Sequence, residues 1–189
     1  MSIYKEKYKW LRTIDLFTGE IDLELDPLDD IPEGWVKAFG EFMCEELDVA
    51  IKAAGIEDEY VVDQVKEKYG EMRWYDRPSN QEISDIVEKY SVLSRNICVH
   101  CGKPDVNMLT KTSWILPMCK CCYEKYSNYK RPYEDVIGEE NRMADTLEYT
   151  QHYRDENGKF VKKEVKIDIR ETAELIRKRW ETQQNNKEM

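Results

Sequence analysis

The clearest alternation of apolar and polar residues in the chain sets Ile21, Leu23 and Leu25 against Asp22, Glu24 and Asp26. A period of two marks a strand with one face on a core and the other in water. Just upstream, Trp10, Arg12, Ile14 and Leu16 alternate with Leu11, Thr13, Asp15 and Phe17, and Thr18-Gly19 supplies a turn. Residues 10–26 therefore predict a β-hairpin with Ile21, Leu23 and Leu25 facing inward. A turn-rich stretch at 27–34 follows, and the period then becomes helical. Trp35, Phe39, Phe42, Met43, Leu47, Ala50 and Ile51 fall on one side of a helix over 35–54, and Gly55 suits the left-handed residue that ends it.

Residues 59–76 carry mixed signals. Tyr60-Val61-Val62 suits a strand or a helix start, whereas Met72 and Trp74 alternate with Arg73 and Tyr75 beyond Gly70 and predict a strand. Pro78-Ser79-Asn80 turns the chain into a second helix carrying Ile83, Ile86, Val87, Tyr90 and Leu93. Ser79, with Glu82 three residues on, matches a capping box for its start. Pro132 blocks a long helix after the cysteines. Residues 147–167 predict a hairpin around Asp155-Glu156-Asn157-Gly158-Lys159, and 170–183 a last helix on Ala173, Ile176 and Trp180. The polar tail at 184–189 is expected to fray. The fold class is α+β: short antiparallel hairpins, three main helices and a four-cysteine knuckle unit. Residues 1–138 are expected to form the body, with that unit at 95–126, and 139–189 a hairpin and helix packed on it.

Charge is distributed unevenly. Residues 1–94 hold 11 Lys+Arg against 23 Asp+Glu, 95–135 hold 7 against 4, and the remainder 11 against 12. The cysteine-bearing segment is thus the net-positive part of an acidic chain. An acidic body is repelled from nucleic acid unless it presents that one face. No run approaches the roughly 18 to 20 apolar residues of a membrane span, and the start, with Lys5, Lys7 and Lys9, lacks a signal-peptide core. A cytoplasmic location and no membrane partner are expected, and six cysteines in a reducing compartment argue for metal over disulfides.

Two Cys-x-x-Cys pairs, Cys98 with Cys101 and Cys119 with Cys122, stand 17 residues apart. This is the spacing of tetrahedral zinc sites, in which each knuckle turns two thiolates to one side. Gly102 directly follows the first pair, where the exit turn favours positive φ. Cys121 is an alternative fourth ligand, but pair geometry favours Cys122. His100 lies inside the first knuckle, badly placed to replace a cysteine. Four protein thiolates close the shell, so the cofactor implied is structural zinc. Cys44, on the apolar side of the first long helix, reads as a small buried hydrophobe.

Catalytic signatures are absent from the sequence: no H-E-x-x-H, no Walker loop, no G-x-S-x-G and no Gly-rich dinucleotide loop. His100, inside a knuckle, and His152, well beyond the second one, are the only histidines and are misplaced for a nuclease. A zinc deaminase needs a His/Cys-x-Glu element before Pro-Cys-x-x-Cys, which Pro117-Met118-Cys119 matches only superficially. The alternative of an enzyme with an unrecognised site stays open. Around the cysteines, Lys103, Lys111, Lys120, Lys125, Lys130 and Arg131 interleave with Trp114, Tyr123, Tyr126, Tyr129 and Tyr133. Cations with flat rings suit single-stranded nucleic acid. They equally suit a protein partner, or rings that merely cover the zinc unit.

Gly34-Trp35 opening a helix, then Lys66-Glu67-Lys68-Tyr69-Gly70-Glu71-Met72-Arg73-Trp74-Tyr75, then the two knuckles with Trp114 between them, form an ordered set over 32–126. This set resembles a loosely defined group of small phage and bacterial proteins that carry such a segment ahead of four cysteines. The resemblance implies putting the four cysteines on zinc and assigns no reaction; Cys121 departs from the pattern. Usage of Tyr, Lys and Glu also resembles a tailed-phage accessory protein. The expected function is therefore a non-enzymatic, zinc-stabilised accessory protein of phage origin that binds a host or phage macromolecule, a protein first. A nucleic-acid-binding zinc module is the alternative.

Overall fold

The computed structural model describes residues 3–15, 18–22, 24–107, 115–126, 132–135, 143, 145–154 and 159–186. The architecture is α+β, with a four-stranded sheet, a separate two-stranded sheet and helices packed around them. A short helix α1 (Ile3–Lys7) precedes two-residue strands β1 (Thr13–Ile14) and β2 (Ile21–Asp22), which pair antiparallel. Sheet order is β2-β1-β3-β4, with β3 spanning Val61–Lys68 and β4 spanning Glu71–Arg77. β1 runs parallel to β3 through Thr13 and Val62, and β3 and β4 form an antiparallel hairpin with a bulge at Asp63. Its two-residue turn, Tyr69-Gly70, has φ of 57° and 76°. Two left-handed residues match the strand twist, which is why glycine follows tyrosine there.

The amino-terminal hairpin is shorter than its alternation predicts, and its inward face is not inward. Ile21 and Leu25 are exposed, and Leu23 lies outside the described residues. The cause is local. The Asp22 carboxylate accepts from the backbone N–H groups of Glu24 and Leu25, and this Asx turn ends the strand after two residues. β2 is also the edge strand of its sheet.

The first long helix begins as α2 (Glu33–Trp35), widens into a π-helical turn at Val36–Gly40 and continues as α3 (Glu41–Ala54). Gly55 closes it at φ 68°. Trp35, Phe39, Met43, Leu47 and Ile51 are fully buried. Helix α4 (Gln81–Ser94) is capped by Asn80, whose side chain accepts from the Ile83 N–H at 3.0 Å. The expected Ser79 box, which would bond the Glu82 N–H, is therefore displaced by one residue, because Asn80 at N-cap bonds the Ile83 N–H on its own. At the other end of α4, Ser94 Oγ accepts from the Met72 N–H and Ser91 Oγ donates to the Met72 carbonyl. These two serines satisfy backbone groups that the edge strand β4 leaves unpaired.

Helix α5 (Lys120–Tyr126) starts within the second cysteine knuckle, and strands β5 (Thr146–Arg154) and β6 (Phe160–Asp168) form the second sheet. The expected carboxy-terminal hairpin is present, although its loop lies outside the described residues. Helix α6 (Arg170–Asn185) buries Ala173 and Ile176 and runs two residues past the predicted end, into the tail expected to fray. One cluster of buried side chains joins the first helix, β3, β4, α4 and the cysteine unit to Met143, Leu147, Ile169 and Ile176. Among the described residues no helix is long and apolar enough to cross a membrane.

Candidate metal centre

The chain leaves α4 through Asn96 and Ile97 and turns at once into the first knuckle. The Cys98 N–H donates to the Lys103 carbonyl at 2.8 Å, and the Gly102 N–H donates to the Cys98 carbonyl at 3.0 Å. Gly102 takes φ 81°, the positive value that its place after the knuckle predicts. Backbone bonds stitch the two cysteine segments together, Val99 N–H to Pro117 O and Met118 N–H to Asn107 O, while Val106 N–H to Asn96 O closes the loop around the first. Cys119 stands immediately before α5 and Cys122 in its first turn, and the Cys122 N–H points at the Cys119 sulfur at 3.5 Å.

This backbone brings four sulfurs together. The Sγ atoms of Cys98, Cys101, Cys119 and Cys122 all lie within 4.8 Å of one another, with Cys101 and Cys119 at 3.7 Å. A tetrahedral ion bonded to sulfur at about 2.3 Å holds its ligands about 3.8 Å apart. The cluster therefore fits such an ion, and all six cysteines of the chain are free thiols. Cys98, Cys119 and Cys122 are buried and Cys101 is half-buried, whereas Cys121 is exposed and outside the group. Hydrogen bonds from the Cys101 and Cys119 thiols pull the Cys98 thiol well below the usual range, and bonds to Cys119 and Cys98 push Cys101 up. Burial pushes Cys122 up to about 12. Thiols this close share their protons, and negative charge settles first on Cys98. By contrast, burial drives the Cys44 thiol up, and it behaves as part of the core.

The surroundings hold the knuckle by close backbone contact. A methyl group on Gly34 would fall 2.2 Å from the Cys98 carbonyl oxygen, and one on Gly102 would fall 2.7 Å from the Gly34 carbonyl oxygen. The Gly34 N–H donates to Val99 O at 2.9 Å, and the Trp35 indole donates to Ile97 O at 2.9 Å. The start of the first helix is therefore pressed onto the knuckle, and the π-helical turn carries Ala38 against Gly102. Helix α6 clamps the same region. Arg177 pairs with Asp105 through two bonds of 2.8 and 3.0 Å, and Arg179 reaches the Lys37 carbonyl and Glu41. The sequence marks Gly34 only as a helix opener. A glycine at a position where almost any residue starts a helix was the available signal for close approach.

The remaining site residues divide. Lys103, Lys120 and Lys125 are exposed, but Lys120 is paired with Glu134 at 2.5 Å. Tyr126 is half exposed, stacked on His100 at 4.6 Å, with the Lys125 ammonium 4.8 Å from its ring centre. Tyr123 is buried, edge-on to Tyr133, whose hydroxyl donates to the Met118 carbonyl. Lys111, Trp114, Lys130 and Arg131 lie outside the described residues. A cavity of about 490 Å³ opens beside Cys101 and Cys122 between the His100–Tyr126 stack and α6. Compared with known proteins, the chain matches no family model, no curated protein and no solved structure.

Proposed function

We propose that Cys98, Cys101, Cys119 and Cys122 bind a structural zinc ion, and that the protein is a non-enzymatic accessory protein acting by binding another macromolecule. The observation that carries this reading is the all-sulfur cluster at tetrahedral spacing, seated against the start of a core helix. An all-thiolate shell favours zinc over harder cations and leaves no coordination position for water or substrate. When bound, the ion cross-links the two knuckles and lends its binding energy to folding. Ile97, Val99, Val106, Met118 and Tyr123 of this segment join the shared core, so a cross-link there also holds the side chains that the knuckles carry inward.

A protein is the favoured partner. Burial of Tyr123 and the inward bond of Tyr133 remove two of the flat rings that stacking on bases requires, and Glu134 offsets Lys120. The half-exposed Tyr126, with Lys125 beside it, is what supports nucleic acid as the second reading. Phage origin rests on the resemblance of the segment at 66–75 and its following knuckles to small phage proteins.

Metal analysis of protein purified without added zinc tests the central claim. One zinc per chain, with these four thiols slow to react until a chelator is added, is expected. Substoichiometric metal with four fast-reacting thiols at these positions would overturn it. A binding isotherm with single-stranded DNA separates the partner classes, because phosphate contacts weaken steeply with salt.

A further inference from the structure

Away from the cysteines, α3, α4 and β6 enclose a groove of about 630 Å³. Its apolar strip comes from one residue of each element: Val49, Ile86 and Ile167. Val49 is 66% exposed, on a helix whose other large aliphatic residues are buried. Its walls carry the carboxylates of Glu45, Glu46, Glu82 and Asp85 against a single lysine, Lys89. That lysine is already turned onto Glu46, which also accepts from the Tyr90 hydroxyl at 2.8 Å. Asp85 is held from the second sheet by the Tyr149 hydroxyl and from its own helix by Gln81. The shape is therefore fixed by three elements and is not a loop surface.

We propose that this groove is a docking site for a cationic amphipathic segment of a partner protein. Such a segment would lay apolar side chains on Val49, Ile86 and Ile167 and direct Lys or Arg at the surrounding carboxylates. The argument is charge complementarity. A groove whose carboxylates outnumber its lysines four to one repels nucleic acid and anionic lipid and draws in a basic chain. An apolar strip flanked by charge is how a groove reads the two faces of an amphipathic helix. Among the described residues Glu45 pairs with an exposed lysine, Lys7, a contact that an incoming cation can replace at little cost. This goes beyond the zinc reading and is independent of it, since no residue of the cysteine unit lines the groove.

The test uses the full-length, metal-replete protein and a labelled model peptide of about four helical turns, with leucines at i, i+3, i+4 and i+7 and lysines elsewhere. A control peptide carries glutamates in place of the lysines. Fluorescence anisotropy should show saturable binding of the basic peptide and none of the acidic one. The double reversal Glu45→Lys with Glu82→Lys changes two exposed residues and should weaken binding at least about tenfold, and Val49→Asn should weaken it about threefold or more. Reversing two exposed acids elsewhere, Asp29→Lys with Asp30→Lys, should leave affinity within about twofold. Equal loss from both reversals would mean a general charge effect and would overturn the proposal. No binding by the native protein, or binding insensitive to all three variants, would do the same. A dimer in sedimentation that Glu82→Lys dissociates would assign the groove to a second copy of the chain instead. Zinc content is measured alongside, so that failure of the metal reading is seen separately.

Discussion

Replacing Gly34 with alanine puts helix propensity and backbone packing in direct opposition. The new methyl would lie 2.2 Å from the Cys98 carbonyl oxygen and 2.7 Å from the carbonyl carbon and oxygen of Val99. All three are backbone atoms, so no rotamer change relieves the clash. An ordinary carbon–oxygen contact needs about 3.3 Å, so the helix start and the knuckle must part by about 1 Å. That separation strains two bonds, Gly34 N–H to Val99 O and the Trp35 indole to Ile97 O, each worth about 1 kcal/mol net. Misfit in a packed core adds about 1–3 kcal/mol, and alanine's better helix propensity returns about 1 kcal/mol at most. The net loss is about 2–4 kcal/mol, which for a chain of this size lowers the melting temperature by about 10 °C. Thermal melting by circular dichroism, with zinc content determined beside it, measures both stability and the integrity of the site. Glu33→Ala, which removes only an exposed pair with Lys37, should stay within about 0.5 kcal/mol of the native protein. A Gly34→Ala protein that melts at or above the native temperature would refute the close-approach argument, since propensity alone would then decide.

Other substitutions probe other parts of the molecule. Cys98→Ser should abolish stoichiometric zinc and leave 95–126 susceptible to protease, whereas Cys121→Ser, at an exposed thiol outside the cluster, should change neither metal content nor melting. Ser94→Ala leaves the buried Met72 N–H without its acceptor and should cost about 1–3 kcal/mol in a denaturant titration. Burial holds the Asp76 carboxyl above its usual range, and one of its oxygens is buried without a partner. A carboxyl raised in the folded state binds its proton more tightly there than in the unfolded chain. Its ionisation therefore opposes folding above the ordinary Asp value of about 4, and that penalty fades as pH falls. Asp76→Asn should raise the melting temperature at neutral pH and flatten its rise towards acid; a drop at neutral pH would show that the charge is needed.

The long helices, the strand at Met72 and Trp74 and the carboxy-terminal hairpin were legible because burial of one face repeats at 3.6 or 2 residues. Failure came where a single side chain outcompeted the period. Asp22 captured two N–H groups and ended a strand whose alternation promised three inward residues, leaving Ile21 and Leu25 exposed. Asn80, one place beyond Ser79, took the cap. In the cysteine unit, the ligand spacing was visible but the support was not. Gly34 and Trp35 reach the knuckle, Arg177 reaches Asp105 just beyond it and Arg179 reaches the helix pressed against it, all from far along the chain, and nothing local marks them as neighbours.

The sequence by itself determined the α+β class, the pairing of four cysteines at zinc spacing and the acidity of the first half of the chain. These follow from periodicity, motif spacing and charge, all local quantities. Only the tertiary structure decided what the cysteine unit is pressed against, that Tyr123 turns inward, and that Glu45, Glu82 and Asp85 surround one apolar groove. The physical reason is that proximity between distant segments is set by burial of a shared core. Two residues in helices α3 and α4 become neighbours only once both helices have spent their apolar faces on it.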